Sequence, residues 1–138
     1  MGISQQQSRR ARRRPISIAL CGLMVVATVA FALAAIIHAG IVIALGPIVL
    51  EDPFPGAAIP EAVIALVLGI GSLSMLARWP ARWGVALAAA VFAFLLTLYG
   101  LSVTADSART GDITYHIAVL VLSGVIVGLL LLPGGRQS

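Results

Sequence analysis

Residues 15–50 read PISIALCGLMVVATVAFALAAIIHAGIVIALGPIVL, 36 positions without an Asp, Glu, Lys or Arg. Arg9, Arg10, Arg12, Arg13 and Arg14 stand in front of the stretch, and Glu51 and Asp52 stand behind it. A run this long and uncharged predicts a membrane helix, because about 20 residues rising 1.5 Å each cross a hydrocarbon core of about 30 Å. The flanking charges predict its direction, with the basic side in the cytoplasm and the acidic side outside.

The whole chain agrees with that reading. It has 138 residues, 60% of them apolar and 10% charged, with a mean hydropathy of +1.07. Soluble domains carry about 25% charged residues, so lipid must be the solvent for much of this surface. The net charge of +4 comes from the five arginines before Pro15; elsewhere four arginines face five acids. That locates the basic character in one tail and argues against a nucleic-acid-binding face. The five arginines are expected to fix topology and to meet anionic lipid headgroups. Lysine is absent while Ala, Val and Leu abound, which points to a GC-rich bacterial genome.

Cys21 is the single cysteine, so the chain holds no internal disulfide and no cysteine-rich metal site. Between Leu20 and Gly22 it reads as a buried, inert thiol, and Leu20 is the wrong residue to precede a lipoprotein cysteine. A basic start followed by an apolar run also describes a cleavable signal peptide, with Ala30/Ala32 or Ala32/Ala34 as small-residue pairs. Ser8-Arg9-Arg10 is similar to a twin-arginine signal without its usual aromatic. The run continues for about 16 residues past Ala34, where a secreted protein would turn polar, so retention as an anchor is expected.

Residues 1–15 are polar and expected to be a disordered cytoplasmic tail. The first span covers 16–37, and its apolar extension to Leu50 contains Gly40, Gly46 and Pro47. That extension either lengthens a tilted first helix or lies as a short interfacial or re-entrant piece. Pro53, Pro55, Gly56 and Pro60 then supply turn chemistry. A second span is predicted over 61–77, with Pro60 at its first position and Glu61 complementing the helix dipole. Arg78-Trp79-Pro80-Ala81-Arg82-Trp83 makes a headgroup-level turn, with indoles in the interface and arginines reaching out of it. Spans over 84–103 and 113–132 follow, separated by a polar loop, with Asp112 as N-cap of the last. Pro133-Gly134-Gly135 ends that span, leaving 133–138 as a second cytoplasmic tail.

The N-terminal tail, the 78–83 turn and the C-terminus together carry eight of the nine arginines and no acid, whereas the other two loops carry all five acids. This alternation predicts an all-α, polytopic four-helix bundle in the cell inner (plasma) membrane with both termini cytoplasmic. Ala62, Ala65, Gly69 and Ser72 on the second span, and Ala86, Ala90, Ala93, Thr97 and Gly100 on the third, repeat at helical spacing. Small residues at that period let backbones approach, and the two stripes are expected to face one another. Gly124 and Gly128 are expected to pack inside the bundle, with a homodimer face as the alternative.

The polar residues of the spans fall in one layer near the outer face: His38, Glu61, Tyr99, Asp112, Tyr115 and His116. Intramembrane polar groups are the default functional hypothesis. The plainest reading makes them interface residues. A second lets His38, Glu61 and His116 converge on a divalent metal or relay protons, as in a small ion or solute carrier. A third makes His38 and His116 the axial ligands of a haem b. No nucleophile-base arrangement, phosphate loop or paired carboxylate within a span is present, so no autonomous catalysis is expected.

The His38-Ala39-Gly40 break, the proline-rich outer loop, the glycine-rich second span after Pro60, Arg78 before a short turn and the Pro133-Gly134-Gly135 ending together resemble the DoxX-like group of small bacterial four-helix membrane proteins. The chain departs from that group in lacking an acid midway along the second span and an arginine within the first. It looks equally like small actinobacterial integral membrane proteins at large. The resemblance implies an association with membrane redox or thiol-stress systems. The expected role is an accessory or partner-binding membrane subunit, with the small carrier as the alternative.

Overall fold

In a computed structural model, which describes residues 2–105 and 110–132 with side chains from Ser17 onward, the chain forms four helices and one short hairpin. In order these are α1 (Gly2–His38), β1 (Ile43–Leu45), β2 (Ile48–Leu50), α2 (Pro55–Leu76), α3 (Arg82–Thr104) and α4 (Thr110–Leu131). Each helix contains 22 or 23 residues long and apolar enough to cross a membrane, with mean hydropathy between 2.0 and 2.7. The expected count of four is therefore present, with α1 packed on α2, α2 on α3, α3 on α4, and α1 meeting α4 more sparingly.

The inward face of each helix repeats at spacings of three and four. On α1 it is Leu20, Met24, Ala27, Phe31, Ala35 and His38; on α4 it is Asp112, His116, Val119, Ser123, Ile126 and Leu130, all buried. Ile64, Ala65, Leu68 and Met75 contribute from α2, and Ala86, Ala89, Ala90 and Ala93 from α3. Buried residues at this spacing form the seam along which the helices pack, and the alanines of α3 allow close approach. The stripes change character along their length. They are apolar through the middle and polar at one end, where His38, Glu61, Thr104, Asp112 and His116 are all buried.

The small-residue stripes do not simply face each other. Gly69 lies against Thr28 of α1, and the hydroxyls of Ser72 and Thr28 meet at 3.3 Å. Gly71, outside the expected stripe, is instead the junction of three helices: a Cβ there would stand 2.9 Å from both Ala89 Cβ and Met24 Cε. Gly124 packs on Phe94 as expected, whereas nothing approaches Gly128 among the described residues. Trp79 is exposed at the turn, and Trp83 is half-buried against the core.

Element boundaries differ from expectation in physically instructive ways. The backbone is helical from Gly2, through residues expected to be disordered, because glutamine, arginine and alanine are good helix formers. Helix α2 starts five residues early, with Pro55 in the first turn and Pro60 inside the helix. Glu61 therefore sits well past the helix start and has no role at the dipole's end. Helix α4 begins at Thr110, so Asp112 is a buried first-turn residue and not an N-cap. The loop residues Asp106 and Arg109, and the C-terminal segment from Pro133 with Arg136, lie outside the described residues.

The extension beyond His38 does not lengthen the first helix; it forms a short strand pair, which adds to the all-α expectation. Gly40, at φ +87°, ends α1: its N–H donates to Ile37 O at 3.0 Å and that of Ile41 to Ile36 O at 3.2 Å. This double closure is a Schellman cap. The chain then turns through Gly46 and Pro47 into an antiparallel pair with Ile43 opposite Leu50 and Leu45 opposite Ile48. Gly46 has φ +63°; proline cannot follow it into positive φ, so the two-residue turn is of the II′ kind. Arg78 closes α2 in the same left-handed way at φ 55°, with Trp79 N–H donating to Ser74 O at 3.0 Å.

Candidate functional site

The polar ends of the four stripes meet at the hairpin end of the bundle. His38 is the hub. It occupies the last turn of α1 on the buried face, where the 3–4 spacing of the core residues carries it inward. Its Nδ1 stands 2.6 Å from Glu61 Oε2, a short charge-assisted hydrogen bond between two buried side chains. A carboxylate only accepts, so Nδ1 donates, and in the neutral ring the lone pair is left on Nε2.

That second nitrogen faces two more acids. Nε2 lies 3.8 Å from Asp112 Oδ1 and 3.9 Å from Asp52 Oδ2. Both separations exceed hydrogen-bond length. One ligand atom each from His38, Asp52 and Asp112 lie within 4.8 Å of one another, so these three are the described group with metal-binding geometry. His38 and Asp112 are buried while the Asp52 side chain is 46% exposed, which leaves an approach to the site from its side.

The hairpin places Asp52. After β2 the chain returns to α1, where Phe54 N–H donates to His38 O at 3.0 Å. The Phe54 ring stands edge-on to the imidazole, with centroids 6.0 Å apart and planes at 86°. Backbone closure and ring contact hold residues 52–54 across the end of α1.

His116 lies beside this cluster but is engaged differently. Its Nδ1 donates to the Asp112 carbonyl oxygen at 2.8 Å, one turn back on α4. Its Nε2 packs against α3 at Gly100, where a Cβ would come within 2.9 Å of it. Glycine at that position is what admits the ring. Tyr115 stacks edge-on with Phe31 at 6.2 Å and with His116 at 5.4 Å. Its hydroxyl, Glu61 Oε1 and Ser123 Oγ are buried with no hydrogen-bond partner among the described residues. Buried polar atoms of this kind cost free energy unless water or an ion serves them.

Of the three metal candidates read from sequence, then, His38 alone offers a nitrogen to the described ligand group. Glu61 braces His38 from behind, and His116 is turned onto α3. Asp112 joins the group, and Asp52, which sequence reading left among the loop charges, supplies its third member. Tyr99 is 68% exposed and takes no part. One signal for Asp52 did exist: Gly46-Pro47 between two β-branched runs is a hairpin mark, and a hairpin folds residue 52 back toward residue 38.

No family model, no curated protein and no solved structure matches the chain. The DoxX-like resemblance accordingly rests on its sequence features alone.

Proposed function

We propose that this small multi-pass membrane protein handles a cation at the outer face of the bundle, as a carrier for a proton or metal ion without catalysis of its own. The observation that carries this is the buried His38–Glu61 pair at 2.6 Å, with two aspartates facing the other imidazole nitrogen. Burying ionisable groups from three helices in one layer is costly, and a transported cation gives that layer a purpose. The alternating loop charges support placing both termini in the cytoplasm and this layer outside.

The accessory-subunit reading is favoured by a separate feature, the exposed apolar hairpin, on which Leu45, Ile48 and Val49 each stand about 60% free. A bis-histidine haem fits less well, because His116 Nε2 is set against Gly100 where an axial ligand needs iron.

Reconstitution in lipid vesicles loaded with a proton- or metal-sensitive dye tests the carrier reading. The wild-type chain should dissipate an imposed cation gradient, and the combined His38→Ala, Glu61→Gln, His116→Ala variant should not. A wild type that leaves the gradient standing, or a variant that matches it, removes the proposal.

A further inference from the structure

We infer that the hairpin end of the bundle is a binding site for a first-row divalent metal, with His38 Nε2, Asp112 and Asp52 as ligands and Glu61 as the residue that orients His38. The inference deepens the cation reading above by naming the ion class and ligand set, and it rests on that reading only for the purpose of binding.

Four observations carry it. First, with Glu61 as a carboxylate and the ring neutral, the His38–Glu61 hydrogen bond puts the proton on Nδ1 and leaves the Nε2 lone pair facing the aspartates. Metal-bound histidines are commonly held this way, by a carboxylate on the far ring nitrogen. Second, the gaps of 3.8 and 3.9 Å from Nε2 are too wide for hydrogen bonds. They leave room for an ion between the atoms: ligands about 2.1 Å from a tetrahedral metal lie about 3.4 Å apart, so Nε2 closes on each aspartate by about half an ångström, and the two aspartate oxygens, within 4.8 Å of each other, by up to about 1.4 Å.

Third, the two aspartate oxygens lie within 4.8 Å of each other beside the buried imidazole. A single ion can reach both carboxylates and the imidazole nitrogen from one position once the side chains close on it. Fourth, the burial is graded. His38 and Asp112 are nearly sealed while Asp52 is half open, which combines two ligands shielded from water with an entry path at the third.

The donor set sets the ion. One imidazole and two carboxylates suit zinc, cobalt, manganese or ferrous iron, whereas calcium and magnesium prefer oxygen alone. Three protein ligands leave a coordination position free. Asp52 comes from the loop behind the hairpin, and the other two ligands sit on helix ends. Half open to solvent, Asp52 is the ligand best placed to exchange with water and let go, which is what a carrier needs and a structural zinc site does not.

The test uses the full chain in detergent, stripped with a chelator and titrated with Zn²⁺ by calorimetry and with Co²⁺ by visible absorption. One equivalent should bind, with Mg²⁺ and Ca²⁺ unable to compete. Asp52→Asn and Asp112→Asn should each weaken binding at least tenfold. Glu61→Gln should weaken it by about 10- to 100-fold although it contributes no ligand atom, and Tyr99→Phe should bind as wild type. Asp52 is half exposed, so its variant tests the site with little burden on folding, and circular dichroism checks the buried ones.

Absence of saturable Zn²⁺ or Co²⁺ binding overturns the inference, as does wild-type affinity in the folded Asp52→Asn and Glu61→Gln proteins. A chain that binds no metal yet passes protons in vesicles sinks the metal site and leaves the carrier reading standing. A chain that binds metal but leaves every gradient intact does the reverse.

Discussion

Single glycines decide how closely these helices meet. A methyl group at Gly71 would stand 2.9 Å from Ala89 Cβ and 2.9 Å from Met24 Cε. The methionine tip can swing aside, but the alanine Cβ is fixed to the backbone of α3, so the helices must part. Gly71→Ala should therefore destabilise the bundle by about 1–3 kcal/mol, read as a lower unfolding midpoint in detergent. Gly69→Ala meets only Thr28 Cγ2, at an ordinary 3.6 Å, and should be neutral or slightly stabilising, since alanine is the better helix former. Equal effects at both positions would mean that the junction at Gly71 is less tight than the distances say. Gly100 works differently, because the atom it accommodates belongs to His116. Glycine was legible there as a member of a small-residue stripe; its service to a histidine on another helix was not.

Among the elements, the hairpin departs most from what hydropathy implies. Residues 41–50 are as apolar as a membrane span, yet Gly40 and Gly46 at positive φ stop the helix and turn the strands. Strand edges carry unpaired backbone groups that hydrocarbon cannot serve, so insertion of the four helices in a bilayer would put the hairpin at the level of the lipid headgroups. Gly46→Val places a β-branched residue at φ +63°, a strain of about 1–2 kcal/mol. Hydrogen exchange at residues 43–50 should then quicken by about tenfold, since about 1.4 kcal/mol corresponds to one decade. Because this segment leads to Asp52, the same change should loosen whatever binds at His38. Unchanged exchange would show that the turn does not hold the strands.

On the scale of the whole molecule, between 28% and 39% of each membrane-length window is buried inside the bundle. The rest is outward surface suited to lipid, with Leu66, Leu95 and Val121 apolar and exposed. The charge pattern sets the expected direction: reporter fusions after Arg78 and after Arg109 should fall on opposite sides of the membrane, with the Arg78 fusion cytoplasmic. Both reporters on one side would end the two-termini-in arrangement. Neutralising Arg9, Arg10, Arg12, Arg13 and Arg14 together should yield a mixture of orientations, scored by the same fusions.

The number of membrane-length helices, and the one end of the bundle at which the buried polar residues gather, were legible in sequence alone. The reason is local: lipid demands about 20 consecutive apolar residues per crossing, and residues at the ends of such runs share a depth whatever their partners. Tertiary structure alone decided which of those residues touch. His38, Asp52, Glu61 and Asp112 come from α1, the loop after the hairpin, α2 and α4. Their separations depend on how the four stripes pack and on where Gly46 and Pro47 send the chain. Residue spacing along one helix carries no such information, so Glu61 and His116 were legible as neighbours in depth, while bracing by one and exclusion of the other became visible only once the helices were side by side.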